Sequence, residues 1–404
     1  MKALRQGKLV GPVIGFLWLF VIVTTVAVMM SFITGAAFRP GLIGTLIVGV
    51  GLGLAAFRVT NKWALIGGGA LATFALMLVG LGPVLTGEGV TFIHKVLTAL
   101  FVGFGAGWPL SAMLGGHPMG EMNRHEFEGV VISFLTGFGY VFFTAIVIIP
   151  FYVMVMTSFK SQQALLQNPL DFTLDLSKGW GLFRSYQELF TDFGFGSYLW
   201  TSFFISVVTV FVTLLFSVPG AYAVARLRFK GAAAFSRSIL LIYMVPMIVV
   251  ALPIYIVFSM TGLRNSLFGL ILIYPVTTIP VSLYMLQGYF RGLPAEVEEA
   301  GLMDGLSRLA VIWKITLPLS LPALASVSLY VFMIAWNEFL LAFMLLDDPS
   351  KFTLTRGVAS LNSSEVPRQH LMAGAVIATL PIMVLFLGLE KFMTKGLTAG
   401  SVKG

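Results

Sequence analysis

Residues 130–157 read VVISFLTGFGYVFFTAIVIIPFYVMVMT, a continuous run without a single charged side chain. At ~1.5 Å of rise per helical residue, about 20 residues cross a ~30 Å hydrocarbon core, so this run is long enough to span a bilayer as a helix. Unpaired backbone groups are costly in lipid, and a run apolar at successive positions suits a helix rather than an alternating barrel strand. Comparable runs lie at 10–34, 41–57, 63–83, 93–114, 199–225, 236–260, 266–288, 320–346 and 371–392. The expected fold is an all-α polytopic membrane protein with about ten transmembrane helices.

The composition agrees, with 58% hydrophobic and 10% charged residues, against about 45–50% and 25% in an ordinary soluble domain. No water-soluble fold hides that much apolar surface. The first run follows Lys2, Arg5 and Lys8 in the manner of a signal peptide, but it continues without a small-residue cleavage site and reads as a retained helix. The net charge of +8 is assigned to loops on the cytoplasmic side rather than to nucleic acid binding. With the N-terminus placed inside, inside segments hold 16 of the 25 Lys and Arg, which predicts that both termini are cytoplasmic. Cysteine is absent, so disulfides, thiolate metal sites and thiol catalysis are excluded, and the four histidines show no metal-ligand spacing.

Glycines spaced four apart, Gly49 with Gly53 and Gly103 with Gly107, together with Gly67, Gly68 and Gly69, mark the first four spans. Such spacing lets helix backbones approach closely in a bilayer, either as packing within this unit or as a face for another subunit. The chain accordingly divides into an N-terminal extension of about four spans, residues 1–128, and a six-span core, residues 129–404.

Between the eighth and ninth spans, residues 289–319 form an inside segment containing LPAEVEEAGLMDGLSRLAVIWKITLP from Leu293 to Pro318. Pro294 opens a short helix, and Glu296, Glu298 and Glu299 fall in its early turns, where the helix dipole favours negative charge. Asp304 and Gly305 end it, the glycine permitting a left-handed turn. An amphipathic linker resting on lipid is one reading. The carboxylates of Glu296, Glu298, Glu299 and Asp304 argue instead for an arginine-lined protein cleft, since anionic headgroups repel them.

This segment resembles the EAA loop of binding-protein-dependent ABC importer permeases. Glu299, Ala300 and Gly301, preceded by Glu298, stand at the name-giving triplet, Asp304 and Gly305 at the turn, and Leu317 and Pro318 at the distal pair. Gly301 and Leu306 depart from the usual alanines, and a helical glycine costs about 0.5–1 kcal/mol relative to alanine. Over roughly residues 129–404 the chain is similar to the maltose-type group of sugar permeases. Ser158-Phe159-Lys160, Gly220-Ala221-Tyr222-Ala223 with Arg226 and Phe229, and Gly288-Tyr289-Phe290 carry further agreement.

The resemblance implies a permease subunit of a bacterial or archaeal cytoplasmic membrane, working with a second permease subunit, two ATPase subunits and an extracytoplasmic sugar-binding protein. It implies that the loop couples to the ATPase and that the tail Gly400-Ser401-Val402-Lys403-Gly404 contacts the ATPases. It also implies that Leu361-Asn362-Ser363-Ser364, within the outer segment 350–369, meets the binding protein. No cofactor is expected on this chain; ATP and Mg belong to the ATPases, and no GxxxxGK[ST] phosphate loop occurs in the sequence. The chain is therefore expected not to be an enzyme.

Trp336, Asn337 and Glu338 put polar groups inside the ninth span, where they either line the translocation path or bond helix to helix. Two rival functions remain at this level: an ABC permease for a non-sugar solute, and a secondary transporter or membrane scaffold. A carrier would call for inverted repeats and paired ionisable groups at midplane, and neither is evident.

Overall fold

The computed structural model describes residues 5–59, 61–168 and 171–398. They form two compact units, Met1–Leu182 and Phe183–Gly404. The tail residues Gly400 to Gly404 lie outside the described residues.

The first unit contains α1 (Gly7–Thr34), α2 (Leu42–Ala55), α3 (Lys62–Leu78), α4 (Phe92–Leu114), α5 (Arg124–Ser158) and the short α6 (Gln162–Gln167). Two three-residue strands, β1 (Phe38–Pro40) and β2 (Val84–Thr86), pair antiparallel and tie the α1–α2 connection to the α3–α4 connection. Glycine decides how the helices meet. A Cβ on Gly53 would collide with the backbone of Gly11, and one on Gly49 would lie 2.8 Å from Phe16 Cα, so α1 and α2 touch backbone to backbone. Gly103 and Gly107 do the same for α4 against α3, where a Cβ would come within 2.6 Å of Ile66 backbone atoms. Both glycine pairs thus serve packing inside this unit. Gly67 and Gly68 have open space around them.

α5 starts with a capping box, in which Asn123 accepts from the Glu126 amide at 2.8 Å and Glu126 accepts from the Asn123 amide at 2.8 Å. Its flanks are largely exposed, as a lipid-facing helix requires, and Tyr152 stacks on Phe32 of α1 with ring centroids 5.8 Å apart.

The second unit runs α7 (Arg184–Thr191), α8 (Phe195–Arg226), α9 (Ala232–Tyr243), α10 (Met247–Met260), α11 (Leu267–Gly292) and α12 (Ala295–Met303). It continues through α13 (Arg308–Val311), α14 (Leu317–Leu319), α15 (Leu321–Asn337), α16 (Leu340–Leu345), α17 (Leu354–Ser360) and α18 (Arg368–Thr398). α8 packs on α11 through buried hydroxyls; Thr213 and Thr278 share a hydrogen bond of 2.7 Å. A polar side chain between two spans is satisfied by its counterpart on the other helix. Ser236 of α9 bonds Gln287 of α11 at 3.0 Å, and Trp336 Nε1 of α15 donates to the Ala378 carbonyl of α18 at 3.0 Å.

Among the described residues, six helices are long and apolar enough to span a bilayer, or seven if the bent pair 308–319 and 321–337 counts as one. Each of the ten apolar runs has a helical counterpart, but Leu42–Ala55, Lys62–Leu78 and Met247–Met260 are shorter. The run 236–260 is broken before Pro246, which lacks an amide hydrogen, and the run 320–346 breaks at Glu338, whose backbone is extended. Gly53→Val is expected to force α1 from α2 and destabilise the protein by about 1–3 kcal/mol. Gly51→Val, with nothing within 4 Å of its Cβ, is expected to leave the thermal midpoint in detergent unchanged; equal midpoints for both would refute the glycine contact.

Candidate functional site

The second unit ends, at one pole, in the loop that the sequence singles out. α11 delivers the chain there, anchored by Phe290, which is fully buried against Tyr222 of α8. Arg226, the last residue of α8, donates from Nη2 to the Leu293 carbonyl at 2.7 Å and so fixes the point where α12 begins. Pro294 caps α12 and contributes no amide hydrogen where none is needed.

Two adjacent glutamates of α12 have opposite environments. Glu298 is buried: Arg226 Nε lies 3.3 Å from its Oε1, Thr316 donates to Oε1 at 3.1 Å, and the Tyr222 hydroxyl donates to Oε2 at 3.2 Å. Glu299 is exposed, as are Glu296, Ala300, Met303 and Asp304. Consecutive helical residues point about 100° apart, so one carboxylate can hold the loop while its neighbour faces outward.

α12 closes in a Schellman motif, with Gly305 at φ 83°, its amide bonded to Leu302 O at 3.1 Å and the Leu306 amide bonded to Gly301 O at 3.1 Å. Gly301 is buried, and a Cβ there would lie 2.5 Å from Ile315 Cδ1. The departure from alanine is therefore matched to the close approach of the returning segment, and it tightens the loop. Ser307 caps α13, and residues Ile312–Thr316 then wind as a π-helix that brings Thr316 to Glu298. Leu317 is half-buried and Pro318 exposed; the chain then bends by 80° into α15.

The other candidate residues lie at the opposite end of α11. Leu361 is buried and anchors its segment, whereas Asn362, Ser363 and Ser364 are exposed. Trp336 is buried and stacked on Phe332, with centroids 5.5 Å apart. Glu338 accepts from the amides of Leu341 at 2.7 Å and Ala342 at 3.1 Å and from the Tyr274 hydroxyl at 2.8 Å, so it caps α16. Asn337 alone of the three is exposed. Among the described residues no group of three or more His, Asp or Glu is placed to hold a metal.

Arg226 stands out in the sequence without its partner, and Thr316 does not stand out at all. The available signal was Tyr222 and Arg226, one helical turn apart at the end of a span, two polar groups on one face that needed a destination.

These features define a class: a polytopic helical membrane protein whose spans end in a clamped, outward-facing acidic helix. Residues 217–398, which contain this loop, match the binding-protein-dependent transport system inner membrane component family. The chain is 38% identical over 270 residues to the inner membrane ABC transporter permease protein YcjP of Escherichia coli (strain K12), covering 66% of this chain and 95% of that one. It is 33% identical over 282 residues to the trehalose/maltose transport system permease protein MalG of Thermococcus litoralis, covering 69% and 99%. It is 31% identical over 284 residues to the arabinooligosaccharides transport system permease protein AraQ of Halalkalibacterium halodurans, covering 68% and 98%. The fold is similar to a chain in the crystal structure of a bacterial ABC transporter involved in the import of the acidic polysaccharide alginate, with a TM-score of 0.56, 24% identity, and coverage of 67% of this chain and 98% of that chain.

The chain belongs to the family of binding-protein-dependent ABC transporter permeases. It is a multi-pass inner membrane component and a permease rather than an enzyme, which sets aside the secondary transporter and scaffold readings.

Removing one partner from a buried ion pair leaves an uncompensated charge and costs about 3–5 kcal/mol. Arg226→Ala is therefore expected to free the loop and expose it to limited proteolysis between Leu293 and Pro318. The double variant Arg226→Leu, Glu298→Leu should recover much of the protection, and protection equal to wild type in Arg226→Ala would refute the clamp.

Proposed function

We propose that this chain is a permease subunit of an ATP-driven sugar importer, with α12 as the element that couples it to an ATPase. The observation that carries this reading is the division of labour on α12, where Glu298 secures the helix and Glu299, Met303 and Asp304 present an acidic, partly apolar face outward. A cleft bearing arginine on the partner would accept that face through charge-assisted hydrogen bonds. Ala300 and the Gly305 turn give it a low profile. The sugar assignment draws on relatives named for trehalose, maltose and arabinooligosaccharides.

In this reading the importer holds a second permease subunit, two ATPase subunits that carry ATP and Mg, and an extracytoplasmic binding protein. Both termini lie in the cytoplasm. Closure of the ATPases pushes α12, and the Glu298–Arg226 pair passes the displacement to the end of α8, because a buried ion pair links the two helices. The spans then exchange between inward-open and outward-open arrangements. Asn362, Ser363 and Ser364 meet the binding protein from the opposite end, with Leu361 anchoring their segment, and the tail Gly400 to Gly404 contacts the ATPases. Residues 1–128 form an extension to the core of 129–404; relatives that align over nearly their whole length cover about two thirds of this chain, which supports the division.

Co-purification from membranes tests the coupling role. Wild-type chain is expected to bring an ATPase subunit with it, Glu299→Arg to lose that subunit while remaining folded, and cells carrying Glu299→Arg to lose ATP-dependent oligosaccharide uptake. Retention of both by Glu299→Arg would overturn the assignment of α12.

A further inference from the structure

The broken span at Glu338 exposes a set of side chains that the coupling role does not use. α16 starts just after the break, and its Phe343 packs against Phe339 with ring centroids 5.3 Å apart; Phe339 is 41% exposed and Phe343 49%. Thr355 of α17 donates to the Glu338 carbonyl at 2.7 Å, which sets α17 beside the break. The next residue, Arg356, holds its guanidinium carbon 4.5 Å from the centroid of the Phe343 ring and 4.4 Å from that of Phe352. Two aromatic faces thus fix a planar cation in place.

Among the described residues that cation has no counter-ion. Its Nε is buried with no hydrogen-bond partner, and among the described residues no carboxylate forms an ion pair with it. Three carboxylates that flank α16 are engaged elsewhere: Asp347 with Arg264 at 2.7 Å, Asp348 with Lys351 at 3.7 Å, and Glu338 with the amides of α16. Arg264 gives the internal contrast. It too has a buried Nε without a hydrogen-bond partner and lies over an aromatic ring, 4.9 Å from the centroid of Tyr255, but its Nη2 is 2.7 Å from the Asp347 carboxylate. A guanidinium that is half-buried, held by rings and left unpaired is prepared for a planar oxyanion that arrives from outside the chain.

We propose that Arg356 is an anion-binding position for the transported sugar, taking the carboxylate of an acidic saccharide such as a uronate. The inference rests on the sugar reading above and narrows it to an anionic cargo. Phe339, exposed and packed on Phe343, offers an apolar ring face suited to the C–H face of a pyranose. Asn337, exposed at the same break, spends its amide nitrogen on Met333 O at 2.9 Å and keeps its side-chain carbonyl to accept from a sugar hydroxyl. This end of α11 is the pole opposite the coupling loop, where solute enters an importer.

The test is arginine footprinting of the full chain in phosphatidylcholine nanodiscs with phenylglyoxal, read by mass spectrometry, at equal ionic strength with sodium glucuronate, glucose or sodium chloride. Protection follows 1 + [L]/Kd, so glucuronate at ten times its Kd should slow modification of Arg356 about eleven-fold. Glucose and chloride should leave it unchanged, and Arg264, already paired, should not respond to any of the three. Equal rates with glucuronate and glucose would overturn the proposal. So would protection conferred by phosphatidylglycerol in the nanodisc without sugar, which would identify a lipid phosphate as the occupant. Uptake by the complete importer separates the two readings: uptake of an acidic oligosaccharide by wild type and its loss in Arg356→Gln are expected, uptake of a neutral oligosaccharide alone would overturn the anionic cargo but uphold the sugar reading, and uptake of neither would overturn the sugar reading itself.

Discussion

A carboxylate buried at the end of a helical bundle must be paired, and the second unit is arranged around that requirement. Taking Glu298 out of water costs several kcal/mol unless its oxygens are compensated. Arg226, Tyr222 and Thr316 come from three separate elements to do so. The pairing sets the start of α12 through the Leu293 carbonyl and draws the returning π-helical segment over Gly301. It also links the loop to α8, so the loop moves with the spans rather than as a free tether. A rigid attachment is what a coupling element needs, because displacement passed through a flexible linker is lost.

The bilayer imposes a different economy on the first unit. Apolar contact between helices gains little over contact with lipid, so association depends on close backbone approach and on polar groups that find partners. The glycine pairs of α1 and α2, and of α3 and α4, supply the first. Trp18, whose Nε1 donates to the Gly105 carbonyl at 3.0 Å, supplies an instance of the second. In the second unit the balance shifts toward hydroxyls, with Thr213 against Thr278 and Ser202 receiving the Leu354 amide at 2.7 Å.

Much of this was legible in the sequence because the bilayer makes hydrophobic run length a physical measure. All ten runs correspond to helical segments, and the loop with its Gly305 turn follows from local chemistry: proline at the start, acids in the first turns, glycine at the end. What the sequence left open are choices made by tertiary neighbours. Glu298 and Glu299 are adjacent and chemically identical, and only the position of Arg226, 72 residues earlier in the chain, sends one inward. Gly301 reads as a flaw in a helix until Ile315 is seen to occupy the space of its missing side chain. Trp336 and Glu338 read as cargo ligands or, by a small margin, as helix fasteners, and their hydrogen bonds with Ala378 and the amides of α16 are of the second kind. Arg356 carried no signal at all, since nothing in its neighbourhood of the sequence marks a cation whose carboxylates are taken.

In the proposed coupling, the Glu298–Arg226 pair holds α12 so that Glu299 faces the ATPase. A photo-crosslinking residue placed at Glu299 in the assembled importer addresses it most directly. An adduct with the ATPase subunit is expected, and it should fall sharply when Arg226→Ala is added, although the complex still assembles. An adduct with lipid or with this chain's own helices, or an ATPase adduct indifferent to Arg226→Ala, would contradict it.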